Sequence, residues 1–251
     1  MNSLHAAAVV LALLAGSSAL AQTAPAEPVL PLEPPVFEAR YLAESMGLSA
    51  TAHRVQTRSE DALYTLENSL SLTLLGATVG TVTETSAFRW QEGQVIPVRY
   101  RYSQTGLGAR EETVAFDWQA LTAVSESGKQ IWRLPLVRGL QDKLSLSQEI
   151  AQQFREGSMT QMRYDVVDGD RIEEQVFRLE GEQLVETPAG TLHTIKLERV
   201  RGAQSSRRTT IWLARDWHHL LVQLEDVSAS GRLTRLSLES ATVNGTKLEG
   251  R

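Results

Sequence analysis

The chain has 251 residues, 42% of them apolar and 22% charged, a formal net charge of −5 and no cysteine. These proportions belong to a globular chain, and the missing thiol excludes disulfides, thiolate metal sites, thiol catalysis and lipid attachment at an N-terminal cysteine. The negative balance suits solubility and argues against nucleic acid as a partner.

Residues 1–21 read as a secretory signal peptide. Ala6 to Leu14 is a short unbroken apolar run, well under the about 20 residues that span a bilayer, and Ala19-Leu20-Ala21 has the small-x-small pattern that signal peptidase cuts after. The flank is atypical, because only the amino terminus and His5 supply positive charge there. The mature protein is expected to begin near Gln22 and to be soluble and periplasmic, not a lipoprotein, with no integral membrane segment after cleavage. Residues 22–36 carry Pro25, Pro28, Pro31, Pro34 and Pro35, which fix φ and remove backbone donors, so this stretch is expected as an extended leader.

From Phe37 to about residue 247 a two-residue period dominates, which puts one set of side chains on a core face and the other in water. Ile96, Val98, Tyr100 and Tyr102 alternate with Pro97, Arg99 and Arg101, and Val114, Phe116 and Trp118 alternate with Thr113, Ala115 and Asp117. Turn signals such as Glu92-Gly93, Ser127-Gly128, Asp168-Gly169-Asp170 and Pro188 to Gly190 separate the strands. An antiparallel sheet of this many strands must curl. The expected fold is therefore mainly β: a single curved antiparallel sheet (β-roll, half-barrel or barrel) with one amphipathic helix. That helix is expected over 143–155, where Asp142 can act as N-cap and Leu146, Ile150 and Phe154 fall on one stripe. Leu74-Leu75-Gly76 interrupts the alternation, so a helical or loop insertion is expected around Leu72 to Thr78.

Several stretches, taken in order, resemble an exported bacterial family. They are Phe88-Arg89-Trp90, Ile96-Pro97-Val98-Arg99-Tyr100, Phe116-Asp117-Trp118, Leu140-Gln141-Asp142-Lys143-Leu144-Ser145-Leu146, Glu186-Thr187-Pro188-Ala189-Gly190-Thr191 and Thr209-Thr210-Ile211-Trp212-Leu213-Ala214. On these the chain is identified as a member of the family catalogued as domain of unknown function 3108, over roughly residues 40 to 243. It departs from the family pattern at Asp216-Trp217-His218-His219 and at Leu221, where the family tends to have proline. The resemblance implies a curved β-roll or half-barrel of Gram-negative envelopes, loosely similar to periplasmic lipoprotein carriers, and no catalytic residues.

Candidate chemistry is sparse. Neighbouring strand side chains point to opposite faces, so His218 and His219 could meet one ion only across a turn, and no third ligand sits at a suitable spacing; no metal site is expected. His193 reads as a hydrogen-bonded core or rim residue. Gly157-Ser158 follows the helix rather than opening one, and no nucleophile elbow is present. Glu111-Glu112, Asp168, Asp170 and Glu173-Glu174 look like solvated faces, with Asp168-Gly169-Asp170 a type I′ turn. Arg199, Arg201, Arg207 and Arg208 read as strand ends around a polar turn. Trp90, Trp118, Trp132 and Trp212 fall in predicted strands and Trp217 in a turn.

The expected function is an exported, non-enzymatic binding or chaperone-like protein without a cofactor, holding a lipid, another hydrophobic ligand or a polypeptide in its concave face. Phe116, Trp118 and Trp212 are the expected lining. The alternatives are a structural or interaction protein with an envelope partner, and an enzyme acting on envelope glycan or lipid.

Overall fold

In the computed structural model, residues 33–74, 77–106, 108–156 and 160–250 are described. The signal segment, residues 22–32 of the leader, and Gly157-Ser158 lie outside them. In strand β1 (Phe37–Ser45), Phe37, Ala39 and Tyr41 are buried while Glu38 and Arg40 are exposed, the period of a strand with one face in the core. The chain then meanders through β2 (Leu48–Arg58), β3 (Leu63–Leu74), β4 (Ala77–Gln91), β5 (Gln94–Gln104), β6 (Arg110–Asp117), β7 (Thr122–Ser127) and β8 (Gln130–Pro135). Helix α1 (Leu146–Glu156) follows. A second meander comprises β9 (Gln161–Asp168), β10 (Arg171–Thr187), β11 (Gly190–Val200), β12 (Arg208–Ala214), β13 (Leu221–Val227), β14 (Leu233–Val243) and β15 (Thr246–Lys247).

Antiparallel pairing of β1 with β14 joins the two meanders into one 15-stranded sheet whose edges are β8 and β9. Among the described residues no ladder joins those edges. The connection leaves β8 after Leu136 donates to Leu121 O, turns at Gly139 with φ +85°, and meets β9 through a backbone bridge at Gln141 and the Lys143–Asp168 ion pair. Gln141 N donates to Asp165 O at 2.9 Å, and Val167 N donates to Gln141 O at 3.0 Å. The sheet is therefore curved but not closed.

Curvature comes from irregularities that sequence patterning does not reveal. Register shifts occur at Arg40/Tyr41, Leu72/Thr73, Ala87/Phe88, Leu179/Gly181 and Trp212/Leu213, and each extra residue bends its strand and increases its twist. The shift at Ala87/Phe88 also accommodates Pro97 inside β5, since Phe88 pairs with Pro97 and Ala87 with Arg99. A proline cannot donate to a ladder, and a bulge is where a sheet tolerates one.

Three local expectations change. Leu72 to Leu74 and Ala77 to Thr78 form no insertion: they are the ends of β3 and β4, paired as one hairpin with a bulge, and Leu75-Gly76 lies outside the described residues. At Asp168-Gly169-Asp170, φ is positive at Gly169 alone while Asp168 pairs with Arg171, so glycine at the first central position makes the turn type II′. The helix proper starts at Leu146 rather than residue 143, because residues 143–145 form a tight turn stapled by side chains.

Two apolar clusters fill the interior. The larger includes Tyr41, Leu66, Phe88, Val114, Val222 and Leu238, with Tyr64 stacked on Phe88 at 5.3 Å between ring centroids. The smaller packs Leu146 and Ile150 of α1 on Met162, Tyr164, Phe177, Leu197 and Leu213 of the second meander. Each fully buried aliphatic side chain stabilises by about 1.5–3 kcal/mol, which is what holds a short helix to the sheet.

Candidate ligand-binding cavity

Helix α1 does not fill the space between itself and the sheet. A cavity of about 300 Å³ remains, at the lower end of the range typical of small-molecule sites. One part of its wall is apolar: Ile150 and Ala151 from α1, Phe177 from β10, Ile211 and Leu213 from β12, and Leu221 and Leu224 from β13. The other part is polar and carries Arg54, Asn68, Glu84, Lys143 and Ser147.

The polar wall follows from register. Arg54 of β2, Asn68 of β3 and Glu84 of β4 are directly paired across the three strands and so share one face. Arg54 is only 9% exposed, donating to Asn68 Oδ1 at 3.2 Å and to Ser147 Oγ of α1. Glu84 accepts from the Tyr100 hydroxyl at 2.6 Å. Burial pulls the Arg54 guanidinium below its ordinary range, opposed by the charges of Tyr41 and Glu84, while burial and Glu84 push the Tyr100 phenol up. Lys143 is ion-paired with Asp168 at 2.7 Å and Glu112 at 3.3 Å, and Arg199 with Glu173 at 3.2 Å.

Helix α1 is held in place by the buried polar residues just ahead of it. Gln141, Asp142 and Ser145 are each 0% exposed. The Asp142 carboxylate accepts from Leu144 N at 2.8 Å, Ser145 N at 2.7 Å and the Ser86 hydroxyl of β4 at 2.7 Å. It thus satisfies orphan amides of the opening turn and ties that turn to the sheet. The Ser145 hydroxyl donates to Gln141 Oε1 at 2.8 Å, Gln141 Nε2 donates to Val95 O at 3.0 Å, and Glu149 accepts from Val95 N at 3.1 Å. The Gln-Asp-x-Leu-Ser segment is thus a polar clasp between helix and sheet. Burial pushes the Asp142 carboxyl up to about 6, against the opposing pull of its hydrogen bonds from Ser145, Ser86 and Leu144.

The three expected lining residues lie elsewhere. Phe116 and Trp212 are buried with the larger apolar cluster, and half-buried Trp118, one residue past β6, donates its indole N–H to Pro97 O at 2.7 Å. None of the three lines the cavity. Trp212 faces away because it alternates along β12 with Ile211 and Leu213, which take the cavity side under α1, while the extra residue of the shift, Val222, lies on β13. His218 and His219 do line it: both have left-handed backbones, with φ 52° and 55°, and His219 lies against Phe154 at 5.7 Å between ring centroids. Among the described residues no group of three or more His, Asp or Glu could hold a metal ion. His193 Nε2 sits 3.0 Å from Glu182 Oε2 on a half-exposed rim.

The candidate acids are distributed on the surface. Glu111 pairs with Arg101, Glu174 with Arg163, and Asp168 and Asp170 with Arg171. Of the arginines around the 201–207 connection, Arg207 pairs with Asp226 at 2.9 Å and Arg201 donates to Thr209 Oγ1 at 2.9 Å. Among the described residues no helix is long and apolar enough to cross a membrane.

Fold and site together define a β-barrel-like module, an open curved sheet with one helix and an internal cavity. The chain belongs to the family described as Protein of unknown function (DUF3108), whose model matches residues 37–236. Among solved structures it is similar to a "Beta-barrel-like Protein of Domain of Unknown Function DUF1849 from Brucella abortus", with a TM-score of 0.57 and 10% identity, over 84% of this chain and 99% of that one. At that identity the likeness concerns the fold. No curated protein matches the chain.

Proposed function

We propose that the protein is an exported, periplasmic, non-enzymatic binding or chaperone-like module that holds an apolar ligand or an apolar polypeptide segment between α1 and the curved sheet. The observation that carries this reading is the cavity of about 300 Å³ beneath the helix. Well-packed interiors leave few voids larger than a water molecule, and an apolar-walled space of this size is the usual form of a hydrophobic-ligand site. The export part rests on the signal-peptide features of residues 1–21. The non-enzymatic reading is supported by Glu111, Asp168, Asp170 and Glu174, which pair with arginines outside the cavity lining rather than converging on it.

Native mass spectrometry and solvent extraction of protein purified from envelope fractions test the reading. A co-purifying apolar molecule or peptide is expected, with a mature amino terminus near Gln22. Ligand-free protein that also fails to bind a neutral apolar dye would remove the binding role, and an intact Met1 would remove the export step.

A further inference from the structure

The cations on the cavity wall are not equivalent. Lys143 and Arg199 already have carboxylate partners within 3.3 Å. Arg54 has none: it is 9% exposed, its two hydrogen bonds go to the neutral acceptors Asn68 and Ser147, and no carboxylate of a described residue lies within 4.0 Å. The cross-strand row explains this. Asn68 stands between Arg54 and Glu84, two strand spacings of about 4.8 Å separate the two charged residues along the row, and the Glu84 carboxylate is engaged by the Tyr100 hydroxyl.

A guanidinium remains charged in a protein and offers five N–H donors in a fork that matches an oxyanion. Arg54 uses two of them on neutral groups and faces a cavity that is also lined by the apolar Ile150, Phe177, Ile211 and Leu213. A buried charge with no ion-paired partner is costly, and Glu84 offsets Arg54 only through space, so a ligand oxyanion would supply the direct counter-charge that the guanidinium lacks. We propose that the cavity takes a single-chain amphiphile with an oxyanion head, the carboxylate or phosphate monoester on Arg54 and the alkyl chain against Ile150, Phe177, Ile211 and Leu213. This rests on the binding role proposed above and specifies its ligand class.

The test is displacement of the neutral dye N-phenyl-1-naphthylamine from the purified full chain by dodecanoate, dodecyl phosphate, dodecanol and inorganic phosphate. At least one of the two anionic amphiphiles is expected to bind about tenfold or more tighter than dodecanol, the increment of a charge-assisted hydrogen bond. Whichever of them wins identifies the head. Arg54→Gln is expected to erase that preference while still binding the dye and dodecanol. Equal affinities for the anions and dodecanol would overturn the head-group assignment and leave the binding role standing, and so would a preference that survives in Arg54→Gln. Inorganic phosphate binding as tightly as dodecyl phosphate would overturn the need for a chain. Failure of the dye and all chains to bind would overturn the binding role itself. The wild-type comparison of anions with dodecanol decides the matter even if the variant does not fold.

Discussion

Replacing Asp142 with asparagine isolates the buried clasp from every other titrating group. The Asp142 carboxyl is 0% exposed and is pushed from its ordinary 3.8 up to about 6. An acid with a raised folded-state pKa binds its proton more tightly when folded, so its protonated form favours the native state. Native stability from this group is then full below pH 3.8 and is lost as pH rises to about 6. At 1.36 kcal/mol per pKa unit, the ionised carboxylate costs about 3 kcal/mol at pH 7.5 relative to its protonated form. Asparagine keeps the acceptor for Leu144 N and Ser145 N, and its amide can donate to Ser86 Oγ, so the cap survives without the charge. The expected result, from urea unfolding of both proteins between pH 4 and 8, is an Asp142→Asn variant that gains on the parent by about 3 kcal/mol as pH rises through this window. A stability difference that stays flat with pH, or shrinks as pH rises, would refute the burial argument. A large loss at every pH, including pH 4 where the carboxyl is protonated, would show that asparagine does not reproduce the cap geometry that holds α1.

Four shorter predictions follow from the same contacts. Ile150→Ala removes a 4%-exposed side chain from between helix and sheet, and should cost about 2–5 kcal/mol in chemical denaturation while raising dye capacity. Gly106→Ala puts a Cβ 2.2 Å from Val79 O at a backbone φ of +79°, so a loss of about 2 kcal/mol or more is expected in a thermal melt. Trp212 Nε1 is buried without a hydrogen-bond partner among the described residues, so Trp212→Phe should cost under about 1 kcal/mol and leave dye affinity unchanged. A marked fall in dye affinity would place the ligand against that ring. Arg54→Met should hold or raise the melting temperature, because it removes a buried charge that has no carboxylate partner within 4.0 Å among the described residues.

Particular residues show where reading from sequence stops. Phe116, with its neighbours at a two-residue spacing, announces a strand, and its burial at 7% exposure agrees. Arg54 announces nothing: in Ala52-His53-Arg54-Val55-Gln56 the apolar phase would point Val55 inward, yet Arg54 and Gln56 are the buried pair. The reason is β1, whose buried Phe37 and Ala39 stand opposite Gln56 and Arg54 and impose their own face on the neighbouring strand. Trp212 has the size and strand placement of a lining residue, but it alternates with Ile211 and Leu213, and it is the docking of α1 on their side that puts the cavity on the opposite face.

Local chemistry therefore determined the strands, their turns and the amphipathic helix, because alternation, glycine at left-handed positions and apolar spacing act within a few residues of one another. The pairing of β1 with β14, the open seam between β8 and β9, and the meeting of Arg54, Asn68, Glu84 and Ser147 around one cavity were decided only in three dimensions. Those contacts join residues far apart in the chain, and cross-strand register and bulges, which choose the face each side chain takes, leave no periodic trace in the order of amino acids.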